Sequence, residues 1–315
     1  MLHMNPVYQK ELRTTARSLR TYVIIFIFNG LLSLFGLFAL YLSFEYQRKI
    51  GSNVEYSAIL QIYSIITGVE FFLLLLVVPA VTAGAISGEK ERQTLEILLT
   101  TKLTPGSIIR GKLMASISMM ILLAFSSLPV IALVFSIGGI TLRDLGEFLV
   151  LILVTAIYLG SIGIFFSALL KKSTSATVAA YGTVLLLCLG TFGAVWGIHF
   201  VEQMHLNHIA PDTAANIQAD IGNWMLLLLL NPIVDYLSIL KGQAGTGKVL
   251  AGLYEKYGNI PAALDGHWFF FSTLIQIVVA VILLLLAAAI LNPLKGNRER
   301  LKIKRQSRKK KVKNE

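Results

Sequence analysis

The sequence of 315 residues predicts an all-α integral membrane protein with six transmembrane helices. Three observations predict it. Hydrophobic residues make up 55% of the chain and charged residues only 14%, against the roughly 25% charged content of soluble proteins. Apolar runs recur at about the 20 residues a helix needs to cross the hydrocarbon core. Lys and Arg gather near the ends of those runs and in the C-terminal tail, a distribution that argues against a soluble nucleic-acid binder.

The elements follow in order. Residues 1–20 precede the first run and form an amphipathic helix along the membrane surface. Asn5 suits its N-cap and Pro6 its first turn. Lys10, Arg13, Arg17 and Arg20 face lipid phosphates. The run that follows is too long for a signal-peptide core and lacks a small-x-small cleavage site, so it is expected to be retained. Spans are expected at 21–44, 56–87, 113–142, 148–170, 173–201 and 268–292. The first and third are uncharged, and the second carries only Glu70. A shorter apolar piece, 222–234, is broken by Asn231-Pro232 and reads as a re-entrant or interfacial element packed on the bundle.

Orientation follows from the basic residues. Lys90, Arg92, Lys102, Arg110 and Lys112 lie between spans two and three, and Lys171 and Lys172 between spans four and five. The tail, 293–315, holds eleven more. With six spans, every basic segment falls on one side, which places both termini in the cytoplasm of a cell-membrane protein. The segments on the other side are poorer in Lys and Arg. The largest of these, 202–267, is expected to be helical in part, with a short helix near 212–221 and a turn-rich stretch at 242–258. It contains "GQAGTGK", 242–248, which matches the phosphate-cradling pattern up to its last position. Val249 stands where Ser or Thr would hold magnesium, and 236–241 is at best a weak preceding strand. The stretch also falls on the side away from cytosolic ATP. The chain therefore lacks an ATPase site of its own and is not expected to be an enzyme.

The most informative stretch is "AGAISGEKERQTLEILLTTKLTPGSIIRGKLMA", 83–115. Gly88 is expected to end span two, and Glu89, Lys90, Glu91 and Arg92 to bring the chain into water. Leu95, Leu98 and Leu99 follow at i, i+3 and i+4, one apolar face of a short helix. Thr104-Pro105-Gly106 reads as a turn, with Arg110 and Lys112 flanking span three. Such a helix, joined rigidly to two spans, can pass a push from a soluble partner to the membrane helices.

This run resembles the signature of the ABC-2 type transporter permeases. In that family Gly-Glu-(Lys/Arg)-Glu, then Thr-Leu-Glu-x-Leu-Leu, then a turn and Gly-Lys, join spans two and three. "NPVYQKELRTTARSLR", 5–20, is similar to the family's elbow helix before span one. Six spans, a large extracytoplasmic segment between spans five and six and a cytoplasmic tail complete the likeness. One departure is Gln93, where many members carry Gly; inside a helix Gln is the better residue, so Gln93 is expected to strengthen it.

The resemblance implies a membrane-spanning domain, 21–292, that exports cargo using ATP hydrolysed elsewhere. It implies a second permease subunit, identical or not, and a cytoplasmic ATP-binding cassette subunit that carries the ATP and magnesium; this chain would bind no cofactor. The helix matching 89–101 would be the coupling helix. Its docking residues would be Gly88, Glu89, Lys90, Glu91, Arg92, Thr94, Leu95, Glu96, Leu98 and Leu99. The charged ones would make polar contacts, and the three leucines the apolar anchor.

Other features carry less. Glu70 is costly inside a membrane, so it is either a candidate for the translocation path or a buried group pinning helices, with Asn29 or Tyr63 as partner. His199, His205 and His208 cluster at one end of span five; no Cys and no Glu-x-x-His helper accompanies them, although Glu202 is near, and they read as interfacial histidines rather than a metal site. Cys188 is single and reads as a small apolar residue. The basic tail suits anionic lipid headgroups; no aromatics interleave, so nucleic acid is not expected. On residues alone, a passive channel or a membrane-anchored sensor stays open. An intramembrane enzyme would need paired acids or a His-acid set within the spans.

Overall fold

The structure, a computed structural model, describes residues 5–50, 56–100, 104–137, 141–209, 219–243 and 267–292. Among the described residues it consists of helices and short connections, with no strand. Six helical stretches there are long and apolar enough to cross a membrane: Leu19–Leu42, Ile62–Glu91, Pro105–Ala132, Leu142–Leu169, Ser173–Ile209 and Trp268–Leu291. The tail, most of the "GQAGTGK" stretch and the expected helix up to residue 218 lie outside the described residues.

Helix α1, Pro6–Ala16, starts as its sequence dictates. The Asn5 side chain accepts from the Val7 N–H at 3.0 Å, and Pro6 fills the first turn, where no N–H is needed. The helix docks on the start of the third span. The amide of Asn5 donates to the Ser107 carbonyl at 2.6 Å, and the Tyr8 and Ser118 hydroxyls meet at 2.9 Å. Gly111 permits the close approach: a Cβ there would lie 2.9 Å from the Val7 Cβ. Lys10, Arg13, Arg17 and Arg20 remain exposed.

The spans are α2, Leu19–Ile50; α3, Tyr56–Thr82, continued by α4, Gly84–Glu91; α6, Pro105–Ile137; α7, Leu142–Leu169; α8, Ser173–Leu185, joined to α9, Thr191–Ile209; and α11, Trp268–Leu291. The short helix α5, Leu95–Thr100, stands between α4 and α6. Several boundaries differ from expectation. Gly88 does not end span two, because helix continues through it to Glu91. Thr104-Pro105-Gly106 is no free turn. Pro105 opens α6, so Arg110 and Lys112 lie within helix. Arg143 to Glu147, expected as a link, form the first turns of α7, where Thr141 and Asp144 cap each other.

Helix α7 is the hub. Of its apolar window 72% is buried, against 22% for α2, for span five and for α11, so those three present most of their surface outward. Gly160 and Gly163 let α3 cross α7 closely. A Cβ on Gly163 would sit 2.8 Å from that of Thr82, where α3 gives way to α4. Only glycine fits at that crossing.

Span five runs further than expected, to Ile209, and contains a π turn at Leu186–Gly190. The shorter apolar piece is larger too. A 3-10 helix, Gly222–Leu230, meets α10, Pro232–Gln243, at a bend of 95°. The bend falls on Asn231-Pro232, as the sequence predicts. Asn231 caps α10 by accepting from the Ile233 N–H at 2.9 Å. Its amide donates to the Cys188 carbonyl at 2.9 Å and to the Thr191 hydroxyl at 2.8 Å. The π turn thus supplies an acceptor that an unbroken helix would keep for itself. The expected weak strand at 236–241 is instead part of α10, which packs Tyr236 flat on Phe71 with ring centroids 5.0 Å apart.

Candidate functional site

The stretch 83–100 is not one surface helix but a break, a helix, a second break and a short helix. Each break has a physical cause. At the first, Ser167 of α7 accepts from the backbone N–H groups of Ile86 at 2.8 Å and Ser87 at 2.9 Å. These are donors in the first turn of α4, which has no capping side chain of its own.

At the second break α4 ends in a Schellman motif. Thr94 donates its N–H to the Glu89 carbonyl at 3.0 Å, and Gln93 to that of Lys90 at 3.1 Å. That ending requires a left-handed residue, and Gln93 has φ of 58°. The expectation that Gln93 strengthens a continuous helix is therefore overturned. It occupies the position where glycine is favoured, because a Cβ in that conformation costs about 1–2 kcal/mol.

The charges of the motif are spent largely inside the chain. Helix α7 ends at Leu169 and α8 begins at Ser173, so a negative and a positive helix end lie side by side. The Lys90 ammonium donates to the carbonyls of Ser167, Ala168 and Leu170 at the first. The Glu91 carboxylate accepts from the Ser173 N–H at 3.0 Å and its hydroxyl at 2.9 Å at the second. Two adjacent residues of opposite sign thus answer two helix ends of opposite sign. For a partly buried cation such as Lys90 the favourable term is on the order of 1 kcal/mol.

Glu89 points elsewhere. Lys112 of α6, only 4% exposed, holds Glu89 at 2.9 Å and Glu11 of α1 at 3.0 Å. One ammonium therefore ties α1, α4 and α6 together. Removing Lys112 would leave Glu11 and Glu89 close together, partly buried and without their cation, which is destabilising.

Helix α5 is short and amphipathic. Leu95 and Leu99 turn inward onto Ile86, Ile109, Leu113 and Ile164. Of the three leucines expected to form one anchor, Leu95 and Leu99 thus pack into the bundle, and Leu98 lies half-buried outside that cluster. Arg92, Gln93, Thr94, Glu96 and Thr100 are exposed. The outward surface is the Arg92–Thr94 turn and the polar side of α5.

The candidate inside the membrane is elsewhere. Glu70 is 1% exposed and accepts from the Ser127 hydroxyl of α6 at 2.7 Å. Neither expected partner serves it, since Asn29 donates to Ser126 and to the Ile25 carbonyl. A second buried carboxyl escaped the sequence reading. Asp235 of α10, also 1% exposed, accepts from Gln276 of α11 at 2.6 Å. It was hidden because its apolar run was too short to count as a span. His199, His205 and His208 lie along α9, and no three His, Cys, Asp or Glu among the described residues are grouped to hold a metal ion.

Gln93 yields a direct test. In Gln93→Gly the relief of about 1–2 kcal/mol of strain is offset by about 0.5–1 of glycine's entropy, for a net gain of about 0.5–1 kcal/mol. Thermal unfolding of the purified protein should shift upward; a lower midpoint would mean that residue 93 is helical.

Compared with known proteins, the chain matches the family described as ABC-2 family transporter protein over residues 5–292. No curated protein matches it. The match begins at the N-cap of α1, ends one residue past α11, and takes in all six membrane-crossing helices and the α4–α5 connection. The chain belongs to the ABC-2 family of transporter proteins.

Proposed function

We propose that the chain is the membrane-spanning subunit of an exporter powered by a separate cytoplasmic ATP-binding cassette subunit that docks at α4–α5. ATP and magnesium would reside in that subunit, and a second permease subunit, identical or not, would complete the pathway. The basic face of the bundle, with both termini, then lies in the cytoplasm, and the basic tail lies against anionic headgroups. Family membership supports a permease.

One observation carries the coupling role. Helix α4 is fastened to the ends of α7 and α8 by Lys90 and Glu91, and to α6 and α1 by Glu89 through Lys112. A surface helix that merely rests on lipid needs no such fastening. A push on the turn at Arg92 to Thr94 or on α5 would reach four other helices at once. Gly88 to Glu91 then hold the lever, while Thr94, Glu96 and Leu98 meet the partner, with Leu95 and Leu99 seating α5 from beneath.

Leu98→Asp tests the docking. The variant should insert in the membrane normally and lose co-purification with the cassette subunit. Retained co-purification contradicts a docking role for α5.

Glu70 enters the same reading as a candidate for the cargo path, since a buried membrane carboxylate is costly to keep without use. Its single hydrogen bond from Ser127 instead suits a group pinning α3 to α6. Glu70→Gln separates the two. Altered transport with normal assembly assigns it to the path, and unchanged transport assigns it to packing.

A further inference from the structure

A cavity of about 590 Å³ opens between α1, the start of α2, α4 and α6, on the basic face of the bundle. Its volume falls within the roughly 300–1,000 Å³ of small-ligand sites. Small residues make the room: Gly84, Ala85 and Gly88 on α4 face Ala115 on α6. A Cβ on Gly84 would meet nothing within 4 Å, so that face of α4 looks into open space.

The lining changes character from end to end. Ile24, Val81 and Met119 supply an apolar end drawn from three spans. Lys10, Arg92 and Lys112 supply cations. Lys112 is held by Glu11 and Glu89, which line the cavity too, so the charged lining as a whole carries a single net positive charge, the complement of one phosphodiester. Lys10 and Arg92 are different. Both are exposed, and among the described residues neither side chain makes a hydrogen bond or ion pair. Thr15 adds a hydroxyl-bearing side chain to the same lining. A planar guanidinium, an ammonium and a hydroxyl converging on one space suit a phosphate. The apolar end suits the hydrocarbon attached to it.

We propose that this cavity binds the headgroup and glycerol region of an anionic phospholipid from the adjoining leaflet. The phosphate would lie between Lys10 and Arg92, and the first acyl carbons along Ile24, Val81 and Met119. A soluble phosphate compound would use the cations and leave the apolar end unused, which is why a lipid is the better occupant. The site is a bounded cavity, unlike the diffuse attraction of a basic tail. It also borders Glu89 and the Arg92–Thr94 turn, so an occupied cavity would brace the α4–α5 connection from behind.

The test uses the full-length purified permease alone, so it does not depend on any partner. Native mass spectrometry counts the lipids retained, and labelled phosphatidylglycerol in mixed micelles gives an affinity. The wild type should retain one phosphatidylglycerol and no phosphatidylcholine. Lys10→Gln combined with Arg92→Gln should weaken phosphatidylglycerol binding about tenfold or more, from two lost phosphate contacts. Gly84→Leu keeps both cations and fills the space, and should also release the lipid. Either variant is read only on protein with wild-type helix content, and Lys10→Gln alone, at an exposed position, should still weaken binding. Wild-type affinity in all three variants overturns the proposal, as does equal retention of phosphatidylcholine. Displacement of the lipid by micromolar inorganic pyrophosphate would mark a site for soluble phosphates and overturn it too.

Discussion

Two helix ends of opposite partial charge meet where α7 turns into α8, and α4 answers both with neighbouring side chains. Lys90 sits among the last carbonyls of α7, and Glu91 on the first N–H of α8. The attraction depends on order. Exchanging the two charges would set a carboxylate against carbonyl oxygens and an ammonium against N–H groups. The placement of α4, and through it of α5 and the Arg92–Thr94 turn, depends on this pair. Ser167 and the small residues at Gly160 and Gly163 bring α4 close enough for it to act. Lys112 then ties the same helix to α6 and α1. A segment joined at so many points moves with the spans, which is what a lever between a soluble motor and a membrane bundle requires.

The same economy of buried polar groups governs the other half of the molecule. The re-entrant pair carries backbone deep into an apolar setting, where every donor and acceptor must be met. Asn231 meets three partners at the apex, one of them a carbonyl of the π turn in span five. Ser272 and Gln276 of α11 donate to the Leu229 carbonyl at the end of the 3-10 helix. Bent backbone is tolerated here because three neighbouring elements supply what the bend removes.

The spans were legible because each apolar run pays its own transfer cost, without reference to neighbours. The break at Asn231-Pro232 was legible for a similar reason, since proline acts locally. What could not be read depends on partners far along the chain. Glu11 and Lys112 are 101 residues apart, Asn231 and Cys188 are 43 apart, and Lys90 reaches 78 residues to Ala168. The charged motif therefore looked like a solvated face awaiting a partner, while much of it is bonded within the chain. Gln93 misled for another reason. Its left-handed backbone is set by the helix ending around it, and helix propensity predicts the opposite effect of a glycine there. Asp235 was overlooked because α10 reaches the core as a re-entrant element rather than a span.

The central claim is that α4 and the turn after it are part of the rigid bundle. Hydrogen exchange of the backbone amides from residue 84 to 94, in the protein embedded in a lipid bilayer, tests it most directly. The account predicts that Ile86 and Ser87 exchange as slowly as amides in the middle of α7, because Ser167 of that helix holds both. Exchange within seconds, as for a helix floating on headgroups, would contradict it.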